Sequence, residues 1–190
     1  ILKALEHTGY TSPSPVQAIP AGSGVTALSA GFRHACVIQS GGVHCWGDGT
    51  ANAAPVSGLA SGVTAISSGY LHRCAVVNGG AKCWGDNGQG QLGDDSQPSS
   101  STPVNVSGLG AGSGVTAIAA GDTHTCAVVN GGVQCWGNNG YFQLGVNFNG
   151  NRLIPIEVLP AGSGATAIAV TSDLTCVVVN GGLQCWGSNF

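Results

Sequence analysis

Apolar residues along this chain come in short runs closed by glycine or a polar step, and the same succession of runs is written four times. In the third copy Val115-Thr-Ala-Ile-Ala-Ala120 stops at Gly121, Thr125-Cys-Ala-Val-Val129 stops at Asn130-Gly131, and Val133-Gln-Cys-Trp136 stops at Gly137. Runs this short, rich in β-branched residues and bounded by turn formers, predict strands. Cys-Ala-Val-Val is apolar without alternation, as expected of a strand covered on both faces. A further run, Pro103-Val-Asn-Val106, has relatives at Pro155-Ile-Glu-Val158 and Pro15-Val-Gln-Ala18. Its leading proline, which cannot donate to a ladder, predicts an edge strand.

Between the second and third strands of each copy stands Ser40-Gly41, Asn78-Gly79, Asn130-Gly131 or Asn180-Gly181. Asn-Gly between apolar runs is a strong signal for a two-residue hairpin turn. Counting outward from Asn130-Gly131 pairs Val129 with Gly132, Val128 with Val133, Ala127 with Gln134 and Cys126 with Cys135. The cysteines then oppose each other at a non-hydrogen-bonded position, where Cα atoms lie about 4.5 Å apart. The same count pairs Cys36 with Cys45, Cys74 with Cys83 and Cys176 with Cys185. Zinc knuckles place their cysteines two to four residues apart, so eight intervening residues favour disulfides over metal or reduced packing thiols. Four disulfides predict an oxidising setting: extracellular, periplasmic or cell-surface.

Trp46, Trp84, Trp136 and Trp186 follow the second cysteine of each pair, spacing the copies by 38, 52 and 50 residues. Repeats of this length, built of short strands, predict a modular all-β architecture. The expected fold is a β-propeller of four-stranded antiparallel blades, about four blades present, as a partial propeller or open arc. The copies divide approximately as 13–52, 53–97, 98–150 and 151–190. Residues 1–12 form an extension or the edge of a preceding blade.

The repeats resemble the regulator of chromosome condensation repeat family. The pieces that carry the resemblance are Val115-Thr-Ala-Ile-Ala-Ala-Gly121, the Gly-x-x-His step, Cys-Trp-Gly, Asn87-Gly-Gln-Gly-Gln-Leu-Gly93 and Pro-Val-x-Val. The resemblance implies a propeller of about seven blades and a role in binding proteins, and the cysteine-bearing style is similar to bacterial members. The chain departs from the pattern in three ways. Four copies do not close such a ring. The first copy lacks a Gln-Leu-Gly segment between Trp46 and Pro55. The fourth has Thr171-Ser-Asp-Leu174 in place of Gly-x-x-His. With no methionine and a last copy that stops at Phe190, a piece of a longer protein is expected, completed by further repeats or by a homodimer.

Composition narrows the function. A net charge of −3 without a basic cluster excludes the usual footprint for nucleic acid. No apolar run is long enough to span a bilayer as a helix, so membrane insertion is not expected. Residues 1–20 look like the glutamine motif of DEAD-box helicases, with Gln17 as the adenine reader. No phosphate loop or acidic box follows, and that reading is set aside.

His34, His72 and His124 recur at one place per copy. Metal ligands must converge on one point, so repetition per blade favours a structural hydrogen bond between blades. The four tryptophans are assigned structural roles with them. No nucleophile elbow and no selected carboxylate pair stands out, so no catalytic residue, metal ligand or cofactor is assigned. Tyr141-Phe142 replaces the Gln89-Gly90 of the second copy, with Phe148 nearby; aromatics in a loop of Gly, Asn and Gln are candidate partner contacts. The expected function is a non-catalytic scaffold that recognises a protein partner or surface glycan through inter-strand loops. A structural or adhesin segment, and a guanine-nucleotide exchange factor for a small GTPase, are the alternatives.

Overall fold

The computed structural model describes residues 18–47 and 50–188. The extension at residues 1–12, most of the Pro15-Val-Gln-Ala18 run and Gln17 lie outside the described residues. The described chain forms fifteen strands and no helix, arranged as four antiparallel meanders. The first sheet holds β1 (Val25–Ala30), β2 (His34–Gln39), β3 (Gly42–Gly47) and β4 (Thr50–Pro55). The second holds β5 (Val63–Ser68), β6 (His72–Val77), β7 (Gly80–Gly85) and β8 (Ser100–Asn105). The third holds β9 (Val115–Ala120), β10 (His124–Val129), β11 (Gly132–Gly137) and β12 (Arg152–Leu159). The fourth has three strands among the described residues: β13 (Ala165–Val170), β14 (Leu174–Val179) and β15 (Gly182–Gly187). These are the blades of an all-β propeller arc.

The central hairpin of each sheet has the register that its turn dictates. Cys126 faces Cys135, Ala127 faces Gln134 and Val128 faces Val133. Asn130 and Gly131 both take positive φ, 50° and 71°, as a mirror-image two-residue turn requires. All four cysteine pairs are disulfide-bonded, with Cα atoms 4.1 Å apart.

The proline-bearing strand does not begin at its proline. β8 starts three residues before Pro103, and Pro155 sits inside β12. Both are edge strands, so the missing N–H disturbs only the outer side, and the ladder absorbs the rest through register irregularities. This strand closes each of the first three sheets rather than opening it, so sheets and sequence copies differ in phase.

The innermost strands stand side by side. Ser29 Oγ accepts from the Ser68 amide at 2.9 Å, and Ser67 Oγ accepts from the Ala120 amide at 3.0 Å. Between consecutive sheets lie three apolar clusters, centred on Ile38, Leu59 and Val77, then Val76, Leu92 and Leu109, then Val128, Leu144 and Val177. The outer faces of the first and last described sheets carry exposed leucines: Leu28 on β1 is 75% exposed and Leu183 on β15 is 69% exposed.

In an antiparallel meander, successive connections alternate ends. The β1–β2 and β3–β4 connections, and their counterparts in the other sheets, share one face, called here the loop face. The two-residue hairpin turns and the Gly/Ser linkers between sheets share the opposite turn face.

Candidate binding face

Adjacent blades are joined by a repeated polar clasp beneath the loop face. The 14-residue connections 86–99 and 138–151 fold around a buried asparagine. Asn87 Oδ1 accepts from the Leu92 amide at 3.0 Å, and its Nδ2 donates to the Ser96 and Pro98 carbonyls at 3.0 and 3.2 Å. Asn139 Oδ1 accepts from the Leu144 amide at 2.9 Å in the same way. This pins Leu92 and Leu144 in the core and aims the preceding carbonyl at the next blade.

The Gln91 carbonyl accepts from the Trp136 indole and the Thr125 hydroxyl, each at 2.9 Å. The Gln143 carbonyl accepts from Trp186 at 3.0 Å and Thr175 at 2.8 Å. Each threonine oxygen also meets a histidine of the preceding sheet: His72 Nε2 at 2.8 Å from Thr125, and His124 Nε2 at 3.0 Å from Thr175. A hydroxyl has one proton, here committed to the carbonyl, so Nε2 must carry the proton and donate. His72 and His124 are fully buried. Desolvation pushes the His72 pKa down to about 3, helped by the neighbouring His124, and pushes that of His124 down to about 4. Both rings are therefore neutral at pH 7.

The step preceding each histidine is as narrow as it can be. A side chain on Gly69 would meet the Gly121 carbonyl, and one on Gly121 would meet the Thr171 carbonyl. His34 is also buried. The residue in the threonine's register position on β6, opposite Trp84 in the second sheet, is Arg73. Among the described residues no three His, Cys, Asp or Glu side chains converge as metal ligands do.

Tyr141 and Phe142 stand at the tip of the β11–β12 loop, 57% and 46% exposed. Phe142 has φ of +60°, where its counterpart Gly90 has +81°. Phe148 is half-buried under the Arg152 guanidinium, 3.6 Å from the ring centroid.

Sequence reading missed a second aromatic group. Phe32 and Tyr70, the residues after the glycine in the Gly-x-x-His steps of neighbouring sheets, stack with centroids 4.4 Å apart. They are 61% and 41% exposed, and Leu71 beside them is 38% exposed. With Asp122 and Ser172 from the corresponding steps they line an open cup of about 340 Å³ at the inner end of the blades. Burial and the nearby Asp122 carboxylate raise the pKa of Asp173 at this end of the fourth sheet. Five of the exposed large apolar residues (Phe32, Tyr70, Leu71, Tyr141 and Phe142) lie on the loop face, and the others lie on strands. Among the described residues none lies on the turn face.

The family model described as Regulator of chromosome condensation (RCC1) repeat matches residues 78–128, and a second model of the same description matches 115–143. Residues 78–143 match the RCC1 repeat. The chain is similar in fold to human WBSCR16, with a TM-score of 0.76 and 22% identity over 86% of this chain and 47% of that one. It is similar to Prp20p from Saccharomyces cerevisiae, with a TM-score of 0.76 and 21% identity over 89% of this chain and 46% of that one. The ectodomain of the receptor kinase CR4 from Physcomitrella patens aligns with a TM-score of 0.56 and 25% identity, over 86% of this chain and 40% of that one. The chain spans about half the length of the first two structures.

No helix among the described residues is long and apolar enough to cross a membrane. The four disulfides point away from a reducing cytosol.

Proposed function

We propose that this chain is a non-catalytic, exported or cell-surface propeller segment that recognises a partner protein through its loop face. One observation carries the reading: the exposed apolar loop residues gather on that face, with the stacked Phe32–Tyr70 pair at its inner end. Aromatic residues in a desolvatable cluster are what binding surfaces concentrate. Phe142 supports it, because a bulky residue held at positive φ costs about 1–2 kcal/mol that the glycine of the second copy avoids. Tyr141, Phe142 and, less exposed, Phe148 form the outer part of the same contact surface.

The disulfides support an extracytoplasmic site of action, and the receptor-kinase ectodomain is an example of a similar fold outside the cell. Prp20p, whose fold is similar, binds Gsp1p and histones. A regulator of a small GTPase is the second reading, and four disulfides weigh against it. The two histidine–hydroxyl pairs, His72–Thr125 and His124–Thr175, are fully buried within the blade junctions, which supports a scaffold over an enzyme.

The test is affinity capture from an extracellular extract with the wild type, a Phe32→Ala/Tyr70→Ala variant and a Ser61→Ala variant on the turn face. Loss of the same captured protein in the first variant alone, with unchanged thermal unfolding, supports the reading. Equal capture by all three contradicts it.

A further inference from the structure

Charge is divided unevenly between the two faces of the stack. The described connections of the loop face carry five carboxylates, Asp86, Asp94, Asp95, Asp122 and Asp173, against one cation, Arg33. The described connections of the turn face carry no charged side chain. A field of one sign over one face draws partners of the opposite sign and turns others away.

Two of those carboxylates belong to the steps that frame the aromatic pair. The cup of about 340 Å³ is lined by Phe32 and Tyr70 from the first two sheets and by Asp122 and Ser172 from the last two. Asp122 is exposed, and no basic side chain joins it among the described lining residues. Asp173 follows Ser172, and its carboxylate accepts from the Gln143 side chain at 3.2 Å. Burial and the Asp122 charge together raise its pKa. A cation brought up to Asp122 relieves the second of those effects.

The rings suit the same guest. Exposed aromatic faces attract cations, and a guanidinium can both lie on a ring and fork onto a carboxylate. Blade spacing holds the rings and Asp122 in fixed relation. A Cβ on Gly31 would strike the Gly69 carbonyl, one on Gly69 the Gly121 carbonyl, and one on Gly121 the Thr171 carbonyl. The four steps are thus packed backbone against backbone, and the cup needs little ordering to receive a side chain.

We propose that the cup receives an arginine side chain from a basic segment of the loop-face partner, its guanidinium on the Phe32–Tyr70 pair and its N–H groups on the Asp122 carboxylate. This rests on the loop-face reading and adds the partner's chemistry to it. Lysine is the poorer guest, because its ammonium is a compact, strongly hydrated charge with no planar face to lay on the rings. Asp86, Asp94 and Asp95 on the 86–99 connection favour further basic residues around the arginine.

The probe is the acetylated and amidated pentapeptide Gly-Gly-Arg-Gly-Gly, titrated against the whole chain while the Tyr70 and Asp122 amides are followed by NMR. The control peptide carries citrulline, which has the shape of arginine without its charge. Saturable shifts at both amides are expected at about millimolar peptide, the range for one anchoring side chain. The citrulline peptide should bind at least about threefold more weakly. Asp122→Asn should bring arginine binding down to the citrulline level, and Tyr70→Leu should weaken it by a similar factor. Both residues are exposed, so both variants should keep the wild-type melting temperature. Absence of saturable shifts overturns the proposal, as does citrulline binding as tight as arginine binding, or full arginine binding by Asp122→Asn. In affinity capture, Asp122→Asn should lose the protein that Phe32→Ala/Tyr70→Ala loses. Capture that fails in the double variant but persists in Asp122→Asn overturns the arginine assignment and leaves the loop-face reading standing.

Discussion

His72 Nε2 lies 2.8 Å from the Thr125 hydroxyl, tying the second blade to the third through a bond that neither blade could make alone. The hydroxyl passes its own proton to the Gln91 carbonyl, which Trp136 also reaches. Four groups from three segments thus share one buried relay, and each is satisfied only if the blades stand in register. Hydrogen-bonded groups in a dry interior are costly to orphan, which is how a chain with few charged residues sets blade spacing.

Replacing Thr125 by valine keeps the shape and removes both of its bonds. The His72 donor is left without an acceptor, and the carbonyl keeps only Trp136. Chemical denaturation should show a loss of about 1–3 kcal/mol. Thr125→Ser, which retains the hydroxyl, should lose much less. Equal stability of the valine variant and the wild type would contradict the relay.

The clasp also sets a pH dependence. His72 and His124 have folded pKa values near 3 and 4, below their ordinary value of 6.5. As pH falls through 6.5 the unfolded chain takes up protons before the folded one. Stability is therefore full above about pH 6.5 and declines toward pH 4, by up to about 1.4 kcal/mol per pH unit for each histidine. Melting temperature measured from pH 7 to pH 4 should fall with this slope. The His124→Gln variant should show a shallower one.

Much of this architecture was legible in the chain. Asn130-Gly131 gives the turn, the turn gives the register, and the register brings Cys126 to Cys135; every step is local, within ten residues. The clasp was not legible in full, because Thr125 and Gln91 are 34 residues apart and neither looks unusual alone. The repetition of Asn87 and Asn139 four residues before Gln91 and Gln143 was the available signal for the loop cores. Phe32 and Tyr70 escaped notice because they occupy a position that is Asp122 and Ser172 in the other copies, so no pattern singles them out. Their stacking arises from the approach of two blades, made possible by Gly31 and Gly69.

The disulfides close loops whose cysteines are nine residues apart. The chain-entropy account gives about 2–3 kcal/mol for a loop of this size. A Cys126→Ala/Cys135→Ala variant should lose no more than that in urea unfolding. It should keep protected amides along β10 and β11 in hydrogen exchange, because Asn130-Gly131 still sets the turn. Loss of that protection would mean that the disulfide, and not the turn, fixes the hairpin.

Phe142→Gly should separate stability from recognition. Glycine at this left-handed position relieves about 1 kcal/mol, seen as a higher melting temperature, while removing an exposed aromatic from the loop face. Partner binding should weaken as stability rises. A variant that gains stability without losing binding would remove Phe142 from the contact surface.

Site-directed photo-crosslinking tests the recognition face most directly. A photoreactive phenylalanine analogue is placed at Tyr70 on the loop face and, separately, at Asn180 on the turn face. Each protein is irradiated in the extracellular fraction of cells that produce it. The account predicts a discrete protein adduct from position 70 and none from position 180. An adduct from position 180 alone, or from neither position, would contradict it.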